Sequence, residues 1–432
     1  MKDIKECANL ALAGLLAGGA EKASVAVYET EQREFNAEGG ELNLLRTVFG
    51  KSLSVKAIKD QRLGSVSGND LSKEGIEKAV EDVLTATESA AQDPNYDIAE
   101  KQENGEFRLP CYEADMDRFF LRVQELLKDV KEQYPKINVM LGVCSHMQSH
   151  NVYKNSNGTQ FEVFEGAYNV FLEFSAVEGD RSTGINGGGF TTINLDEPFI
   201  NHPALRQHLE ESMGQLDLVP VTGKQEGTVI FTPDCAAQML MSLLGNYASG
   251  SNVLDGTAQW KDKIGQQVVD PRITMKVDPY DARIVCGHRY TGDGFRTEPV
   301  TLIDKGVLQC HMLDLYQANK LGKKVTKLAG NGYILENGDK TLEELIRGVS
   351  YGLLMGSFSG GSPNASGEMS GVAKNSFLIV DGKIQGAVME TMVSANLGEL
   401  FNHLVGLSSE TTEDGSMSMP YVAVSGVTIS GK

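Results

Sequence analysis

The chain has 432 residues, of which 58 are acidic and 39 are basic, so its formal net charge is −19. A nucleic-acid-binding protein needs concentrated Lys and Arg to neutralise phosphates, and this charge balance argues against that class. The length predicts two or three domains with cores of their own, and the 41% hydrophobic content is that of a globular chain.

The cysteines and the apolar runs bear on the cellular compartment. Six cysteines are spread along the chain without a Cys-x-x-Cys pair, which favours reduced thiols in a cytoplasmic protein. Residues 10–20 are too short and too glycine-broken for an export signal and predict an amphipathic first helix instead. No apolar run reaches the roughly 20 residues that a membrane helix needs, so no membrane contact is expected.

Period-two alternation in the first half of the chain predicts antiparallel hairpins. Apolar residues alternate around Val25 and again around Leu53. Residues 137–143 and 168–176 also alternate, and the Asn157-Gly158 pair between them is a hairpin turn signal.

Two amphipathic helices accompany these strands. Apolar residues recur at intervals of three and four over residues 76–84 and 116–130, and Ser72 is placed to cap the first helix. The mixture predicts an α+β fold, with an N-terminal α/β domain of antiparallel hairpins and helices over residues 1–220.

The second half, residues 221–432, predicts a β-rich domain with a mostly antiparallel sheet. Thr341 and Glu344 have the spacing of a helix capping box, and Asp381-Gly382 predicts a type I′ hairpin turn. Residues 356–375 are mostly small, and a loop of about 20 residues in a compact domain is expected to cover a cleft or contact a subunit.

The strongest metal candidate from residue types alone is the set Cys144, His146 and His150. These positions share one face of a strand and could offer one sulfur and two nitrogens to zinc. Six residue intervals span about 20 Å, so the three side chains reach one ion only if the strand bends. A half-exposed strand end without a metal accounts for the same residues, and both interpretations stay open.

Four segments together resemble the TldD/PmbA (TldE) family, whose members are described as modulators of DNA gyrase and are linked to peptide maturation by proteolysis. The segments are residues 153–158, 227–247, 297–321 and 366–384. The last is the most specific, and its motif residues are Ser366, Gly367, Glu368, Ser370, Gly371 and Lys374. The resemblance implies an α+β N-terminal domain, a β-rich C-terminal domain and at least a dimer.

The family has a TldD-like branch in which a His-Glu-x-x-x-His helix and a late cysteine bind a metal for peptide hydrolysis, with the Glu as general base. Aligned on residues 229–231, the motif positions are held here by Met241-Ser242-Leu243-Leu244-Gly245-Asn246, and the last cysteine is Cys310. Met and Ser cannot replace an imidazole and a general base, and Asn is a poor ligand. The chain therefore resembles the PmbA/TldE branch, with a vacated metal site at Met241, Ser242 and Asn246, no catalytic residue and no cofactor.

The resemblance implies a non-catalytic subunit of a cytoplasmic TldD-type metallopeptidase that acts on peptides or unfolded protein segments. The partner would be a TldD-like subunit in a heterodimer, or a second copy in a homodimer. Two alternatives stay open. One is an autonomous metal-dependent hydrolase that uses Cys144, His146 and His150. The other is a homodimeric peptide-binding protein without peptidase activity. Exposed strand edges and residues 356–375 are the expected contact surfaces, by strand addition.

Overall fold

The structure is a computed structural model that describes residues 3–364 and 366–431. The elements of the first half are α1 (Ile4–Ala17), β1 (Lys22–Glu38), β2 (Glu41–Lys59), β3 (Arg62–Gly68), α2 (Lys73–Ser89), β4 (Gly105–Arg108), α3 (Met116–Gln133), β5 (Ile137–Asn155), β6 (Gln160–Glu178), β7 (Arg181–Ser182), β8 (Asn186–Thr192), a 3₁₀ turn (Phe199–Asn201) and α4 (Pro203–Gly214).

The elements of the second half form a longer series of short strands. They are β9 (Lys224–Phe231), α5 (Pro233–Tyr247), α6 (Gly250–Leu254), β10 (Met275–Val277), β11 (Val300–Asp304), β12 (Val307–Leu308), α7 (Leu315–Leu321), β13 (Tyr333–Leu335), α8 (Leu342–Arg347), β14 (Tyr351–Met355), β15 (Ser357–Gly360), β16 (Glu368–Lys374), β17 (Phe377–Val380), β18 (Lys383–Ala387), β19 (Met392–Asn396), α9 (Leu397–Leu400), β20 (Leu404–Glu413) and β21 (Met417–Ser430). The predicted α+β class is confirmed.

The N-terminal sheet has the strand order β3-β2-β1-β5-β6-β4, and β7 and β8 also pair with β6. Its strands run antiparallel, as the alternation predicted, except that β4 is parallel to β6. The predicted hairpin turn is present between β5 and β6, where Gly158 has φ +87°. Glycine adopts this left-handed conformation without the penalty that a Cβ brings, which is why the turn can be so tight.

Two pairs of helices cover one face of this sheet at opposite ends. Helices α1 and α2 pack over a cluster that includes Val25 and Val55, and α3 and α4 pack over a second cluster that includes Phe35 and Tyr168. The amphipathic patterns explain this, because each helix buries its apolar stripe against the sheet. Ser72 caps α2 as predicted, its hydroxyl accepting a hydrogen bond from the Gly75 backbone N–H at 3.0 Å.

The opposite face of the N-terminal sheet meets the second half of the chain around Tyr290. Its hydroxyl donates to Asn151 Oδ1 at 3.1 Å, and its ring stacks on Phe161 with 5.4 Å between centroids. Nearby, the Tyr153 hydroxyl donates to the Asp293 carbonyl at 3.0 Å. Packed aromatic rings with satisfied hydroxyls make this a specific contact between the two halves.

The C-terminal sheet is mixed and mostly antiparallel, as predicted. Its central path is β12-β11-β10-β13-β21-β9-β14-β17-β18, with β15, β16, β19 and β20 attached to it. Within the described part of this second sheet, only the β13–β21 and β9–β14 pairs are parallel. The predicted capping box at Thr341 is present on α8, and Asp381 and Gly382 both have positive φ, as a type I′ turn requires.

The prediction of a single loop over residues 356–375 is wrong. Residues 357–360 and 368–374 form the antiparallel strands β15 and β16, and only residues 361–367 connect them. Met369, Gly371 and Ala373 are buried in alternation with exposed neighbours. The alternation was hidden because two of these three residues are as small as typical loop residues.

No helix among residues 3–364 and 366–431 has both the length and the apolar character required to cross a membrane.

Candidate functional site at helix α5

Helix α5 packs lengthwise on the C-terminal sheet, and its sequence explains why. Thr232 caps its start and Pro233 occupies the first turn, where a missing N–H costs nothing. The buried residues of the helix form one broad face against the core, and they are Pro233, Cys235, Ala236, Met239, Leu240, Leu243, Leu244 and Tyr247. The positions expected to form the vacated metal site lie at the margins of this face.

Met241, Ser242 and Asn246 are each half-buried near the C-terminal end of α5. Met241 packs against the hydrophobic core, and the Asn246 side-chain amide donates to the Ser242 carbonyl at 2.8 Å. The amide is therefore tied to its own helix. Within the described residues, no group of three or more His, Cys, Asp or Glu side chains is arranged to hold a metal.

A peptidase metal does not fit this donor set. A thioether, a hydroxyl and a side-chain amide bonded to its own helix lack the imidazole and carboxylate groups that bind a catalytic divalent ion. These positions also offer no group that could act as a general base near neutral pH. The residues present can pack and can form hydrogen bonds, but they cannot activate a water molecule.

The family-motif segment lies against the same end of α5. Gly367 has φ +88°, and a Cβ at this position would overlap the hydroxyl of Tyr247, which is the last residue of the helix. The Gly367 carbonyl accepts from the Leu397 N–H at 2.8 Å, which fixes the turn to α9. Only glycine meets both demands, so this motif residue has a structural role.

Two asparagines hold the turn around Gly367. Asn364 Oδ1 accepts from the backbone N–H groups of Ser366 and Glu368 at 2.9 and 3.0 Å. Asn396 Nδ2 donates to the Ser366 carbonyl and to Glu368 Oε1, both at 2.8 Å. The Glu368 carboxylate therefore serves the turn in this structure and is directed along the surface.

The remaining motif residues lie on strand β16 rather than in a loop. Ser370 and Lys374 are exposed on it, whereas Gly371 is buried where a Cβ would meet the Phe358 ring of β15. The sequence motif thus combines two glycines that close packing requires with side chains that remain available on the surface. The segment contacts α5 at Tyr247, the residue after Asn246.

The alternative metal candidates on β5 are not brought together. The Cys144 thiol is buried in the hydrophobic cluster beneath α3, and burial raises its pKa to about 12. His146 Nε2 bonds the Cys111 carbonyl at 2.8 Å, and burial lowers its pKa. His150 bonds Glu162 at 3.1 Å and stacks on Phe164. Each side chain has its own separate partner along an extended strand.

A cluster of ionisable groups that the sequence reading did not single out lies at the other end of α5. The Asp234 carboxylate, in the first turn of α5, pairs with His208 Nε2 of α4 at 2.7 Å. Glu211, one turn further along α4, accepts from Gln207 Nε2 at 2.9 Å. Asp234 and His208 are 26 residues apart and in different halves of the chain, so no local spacing could have indicated this pair.

Burial and neighbouring charges shift the pKa values in this cluster. Burial raises the pKa of the Glu211 carboxyl to about 7. Burial also tends to lower the pKa of His208, but the hydrogen bond and charge of Asp234, with the charge of Glu211, outweigh it and raise the value overall. Tyr421 on β21 also faces the cluster, and its pKa is raised, first by burial and then by these carboxylates. The cluster joins the two halves of the chain, and its charge depends on pH.

Comparison with known families places both ends of the chain in one group. Residues 224–431 match the model of the PmbA/TldA metallopeptidase C-terminal domain, and residues 23–87 match that of PmbA/TldA metallopeptidase domain 1. The first match spans β9 to β21 and includes α5 and the motif segment.

Curated relatives match over nearly the whole chain. Metalloprotease PmbA of Escherichia coli O157:H7 is 24% identical, with 98% of this chain and 96% of the relative covered. Metalloprotease MJ0996 of Methanocaldococcus jannaschii is 21% identical, with 94% and 93% covered.

Solved structures share the fold. TldE from Thermococcus kodakarensis superposes with a TM-score of 0.86 at 22% identity, covering 99% of this chain and 100% of that one. A Bacteroides thetaiotaomicron protein described as a modulator of DNA gyrase gives 0.85 at 23% identity, with both chains covered completely. Family models at both ends, full-length relatives and a common fold agree with the resemblance carried by the motif segment, and the chain belongs to the PmbA/TldD family, within which it resembles the PmbA and TldE members.

Proposed function

We propose that this chain is a non-catalytic subunit that pairs with a TldD-like metallopeptidase and supports the proteolysis or maturation of peptides. The observation that carries the proposal is the chemistry of α5. Met241, Ser242 and a tied-back Asn246 occupy the positions where the TldD-like branch has two imidazoles and a general base. Metal and base then have to come from the partner.

Two further observations support this role. The relatives of this chain include proteins named metalloprotease, and the fold matches a protein named TldE. Helix α5 and the motif segment pack closely against each other although the metal donors expected at Met241, Ser242 and Asn246 are missing. A surface that contacts a homologous partner would account for this packing.

We infer that the substrate is a peptide or an unfolded protein segment and that the assembly is cytoplasmic. The net charge of −19 disfavours nucleic acid as the ligand. We also propose a domain boundary near residue 220, because the strands of the first sheet end at Thr192 and those of the second begin at Lys224.

The test is reconstitution. The chain is purified alone and together with a TldD-like chain encoded in the same genome, and each sample is analysed for bound metal by mass spectrometry and for turnover of an unstructured peptide. We expect activity and one metal site only in the mixed assembly. Replacing the glutamate of the partner's motif should abolish activity, whereas Ser242→Ala in this chain should leave it unchanged.

The other outcomes distinguish the alternatives. Stoichiometric metal on the single chain, lost with Cys144→Ala or His146→Ala, would establish an autonomous hydrolase and refute the proposal. Saturable peptide binding without turnover, and without association with a TldD-like chain, would instead identify a stand-alone peptide-binding protein.

A further inference from the structure

A cavity of about 420 Å³ lies where the first half of the chain meets the second. Lys56 of β2 lines it from the first half, and residues near Gly250, Asp293 and Asp314 line it from the second. Its volume falls within the range of about 300–1,000 Å³ that small-molecule sites occupy. No described residue of α5 or of the motif segment lines it, so the cavity is separate from the site at α5.

Lys56 brings a positive charge to this cavity that the fold does not neutralise. Its side chain is half-buried, and within residues 3–364 and 366–431 its ammonium group has neither an ion pair nor a hydrogen bond. An ammonium group that is partly withdrawn from water without a partner favours a negative ligand group beside it. The first half of the chain therefore offers the cavity a place for an anion.

Two carboxylates line the same cavity, and each has one oxygen in use and one free. Asp293 Oδ2 accepts from the Leu315 backbone N–H at 3.0 Å, and Asp314 Oδ1 accepts from the Gln317 backbone N–H at 2.7 Å. Among the described residues, none donates to Asp293 Oδ1 or Asp314 Oδ2. These two oxygens can accept from a ligand ammonium group without breaking a contact that the fold uses.

The lysine and the two aspartates do not neutralise each other. Lys56 forms no salt bridge with Asp293 or Asp314, although all three line one cavity. An anionic ligand would also meet the two carboxylates, and a cationic ligand would also meet the lysine, so a ligand of one sign is repelled by part of the wall. A ligand that carries both charges is attracted by all three groups.

The fold holds both carboxylates in position. The Asp293 carbonyl accepts from the Tyr153 hydroxyl at 3.0 Å and from the Ala99 N–H at 3.2 Å, so the first half of the chain fixes this residue. Asp314 is fixed by its capping box with Gln317 at the start of α7. A site with polar groups that are already placed binds its ligand at a small ordering cost.

Part of the cavity wall is apolar. Met312, Leu313, Val325 and Leu328 line it in addition to the charged groups. These side chains can pack against an apolar ligand side chain, while the lysine and the aspartates bind its charged ends.

We propose that this cavity binds a small zwitterion with an apolar side chain, namely a free amino acid or a short peptide. The ligand carboxylate pairs with Lys56, and the ligand ammonium group pairs with Asp293 and Asp314. Proteolysis of peptides releases compounds of this class. The site uses residues of this chain alone, however, so the inference does not depend on the proposed peptidase partner.

Calorimetric titration of the purified chain tests the charge requirement. The probes are L-leucine and leucyl-leucine, each compared with its amide, which lacks the carboxylate, and with its N-acetyl form, which lacks the ammonium group. We expect each single-charge form to bind about tenfold more weakly than its zwitterion, because a charge-assisted hydrogen bond is lost. Tighter binding of L-leucine would assign the site to a free amino acid, and tighter binding of leucyl-leucine would assign it to a peptide.

Variants assign each charge to a side chain. Lys56→Met keeps the apolar stem without the ammonium group, so it should weaken binding of the zwitterion about tenfold and leave binding of the amide unchanged. Asp293→Asn keeps an oxygen for the Leu315 N–H and should weaken the zwitterion and the amide but not the N-acetyl form. Lys59→Met is the matched control, because Lys59 is also half-buried on β2 but lies on the opposite face of the strand.

Three results would overturn the proposal. They are equal binding of a zwitterion and its single-charge forms, a Lys56→Met chain that still discriminates against the amide, and no binding of either zwitterion at millimolar concentration. The ligand comparison uses the parent chain, so it decides the question even where a variant does not fold. Because the chain is titrated alone, failure here leaves the proposed peptidase assembly untouched, and failure of that assembly leaves this site untouched.

Discussion

The two ends of helix α5 differ in the kind of interaction that holds them. At the N-terminal end, Asp234 pairs with His208 and lies near Glu211, so ionisable groups join the two halves of the chain. At the C-terminal end, Met241 and Asn246 are neutral, and Tyr247 packs against Gly367 without room for another atom. Residues 240–247 of the helix include no Asp, Glu, His, Lys or Arg, and the predicted vacated metal site falls in this segment.

This difference indicates what the helix contributes in this chain. Buried carboxylates and imidazoles exchange protons with the solvent, so the N-terminal end must depend on pH. Close packing of neutral groups has no such dependence, so the C-terminal end should respond to volume alone. The helix serves as a structural joint at one end and as a packed platform for the motif segment at the other.

The largest effect is expected at the packed end. Gly367→Ala places a Cβ against the Tyr247 hydroxyl and forces a side chain into the left-handed region, so we expect a loss of about 3 kcal/mol in the free energy of unfolding. Gly361→Ala is the control, because nothing lies within 4 Å of its Cβ position. Urea unfolding of both variants measures the difference, and equal stabilities would show that the turn at Gly367 is not close-packed.

The charged end should determine the pH dependence of stability. The pKa of Glu211 is about 7 in the folded chain against an ordinary value of 4.5. The folded chain therefore holds a proton that the unfolded chain has already lost, and stability falls as the pH rises from about 4.5 to about 7. His208 acts in the same direction. Its raised pKa gives stability that is complete below its ordinary value of 6.5 and is lost as the pH rises through the folded value.

Glu211→Gln tests this dependence. The variant keeps an oxygen for the Gln207 bond but cannot lose a proton, so it should remove most of a pH-dependent loss of about 2 kcal/mol between pH 5 and 8. Glu81→Gln, which changes an exposed glutamate on α2, should leave the slope as it is in the parent chain. Parallel pH profiles for the parent chain and both variants would contradict the assignment of the slope to Glu211.

The contrast also shows what sequence patterns can and cannot reveal. The α5 face, the Ser72 cap, the Thr341 capping box and the Asp381-Gly382 turn were predictable, because each rests on residues a few positions apart. The vacated metal site at Met241, Ser242 and Asn246 comes from the resemblance to the family and stays a prediction.

Two features were not predictable from sequence. The sequence of strands β15 and β16 shows no clear apolar alternation, because small residues occupy several buried positions. These residues are buried because the Phe358 ring lies across them. The Asp234–His208 contact was concealed by distance along the chain, since the fold alone brings α4 to the start of α5. Local periodicity does not predict contacts between residues so far apart in the sequence.

The smallest effect should come from the positions predicted to form the vacated metal site. Asn246→Ala removes one hydrogen bond to the Ser242 carbonyl, but alanine is the better helix former, so stability should change by no more than about 0.5 kcal/mol. Because Asn246 carries no charge, the pH slope should match that of the parent chain, in contrast to Glu211→Gln. Peptide turnover by the mixed assembly should also stay unchanged, since neither metal nor base is drawn from this helix. A loss of turnover with unchanged stability would show that Asn246 contacts the reacting groups, and the C-terminal end of α5 would then be part of the active site rather than a packed platform.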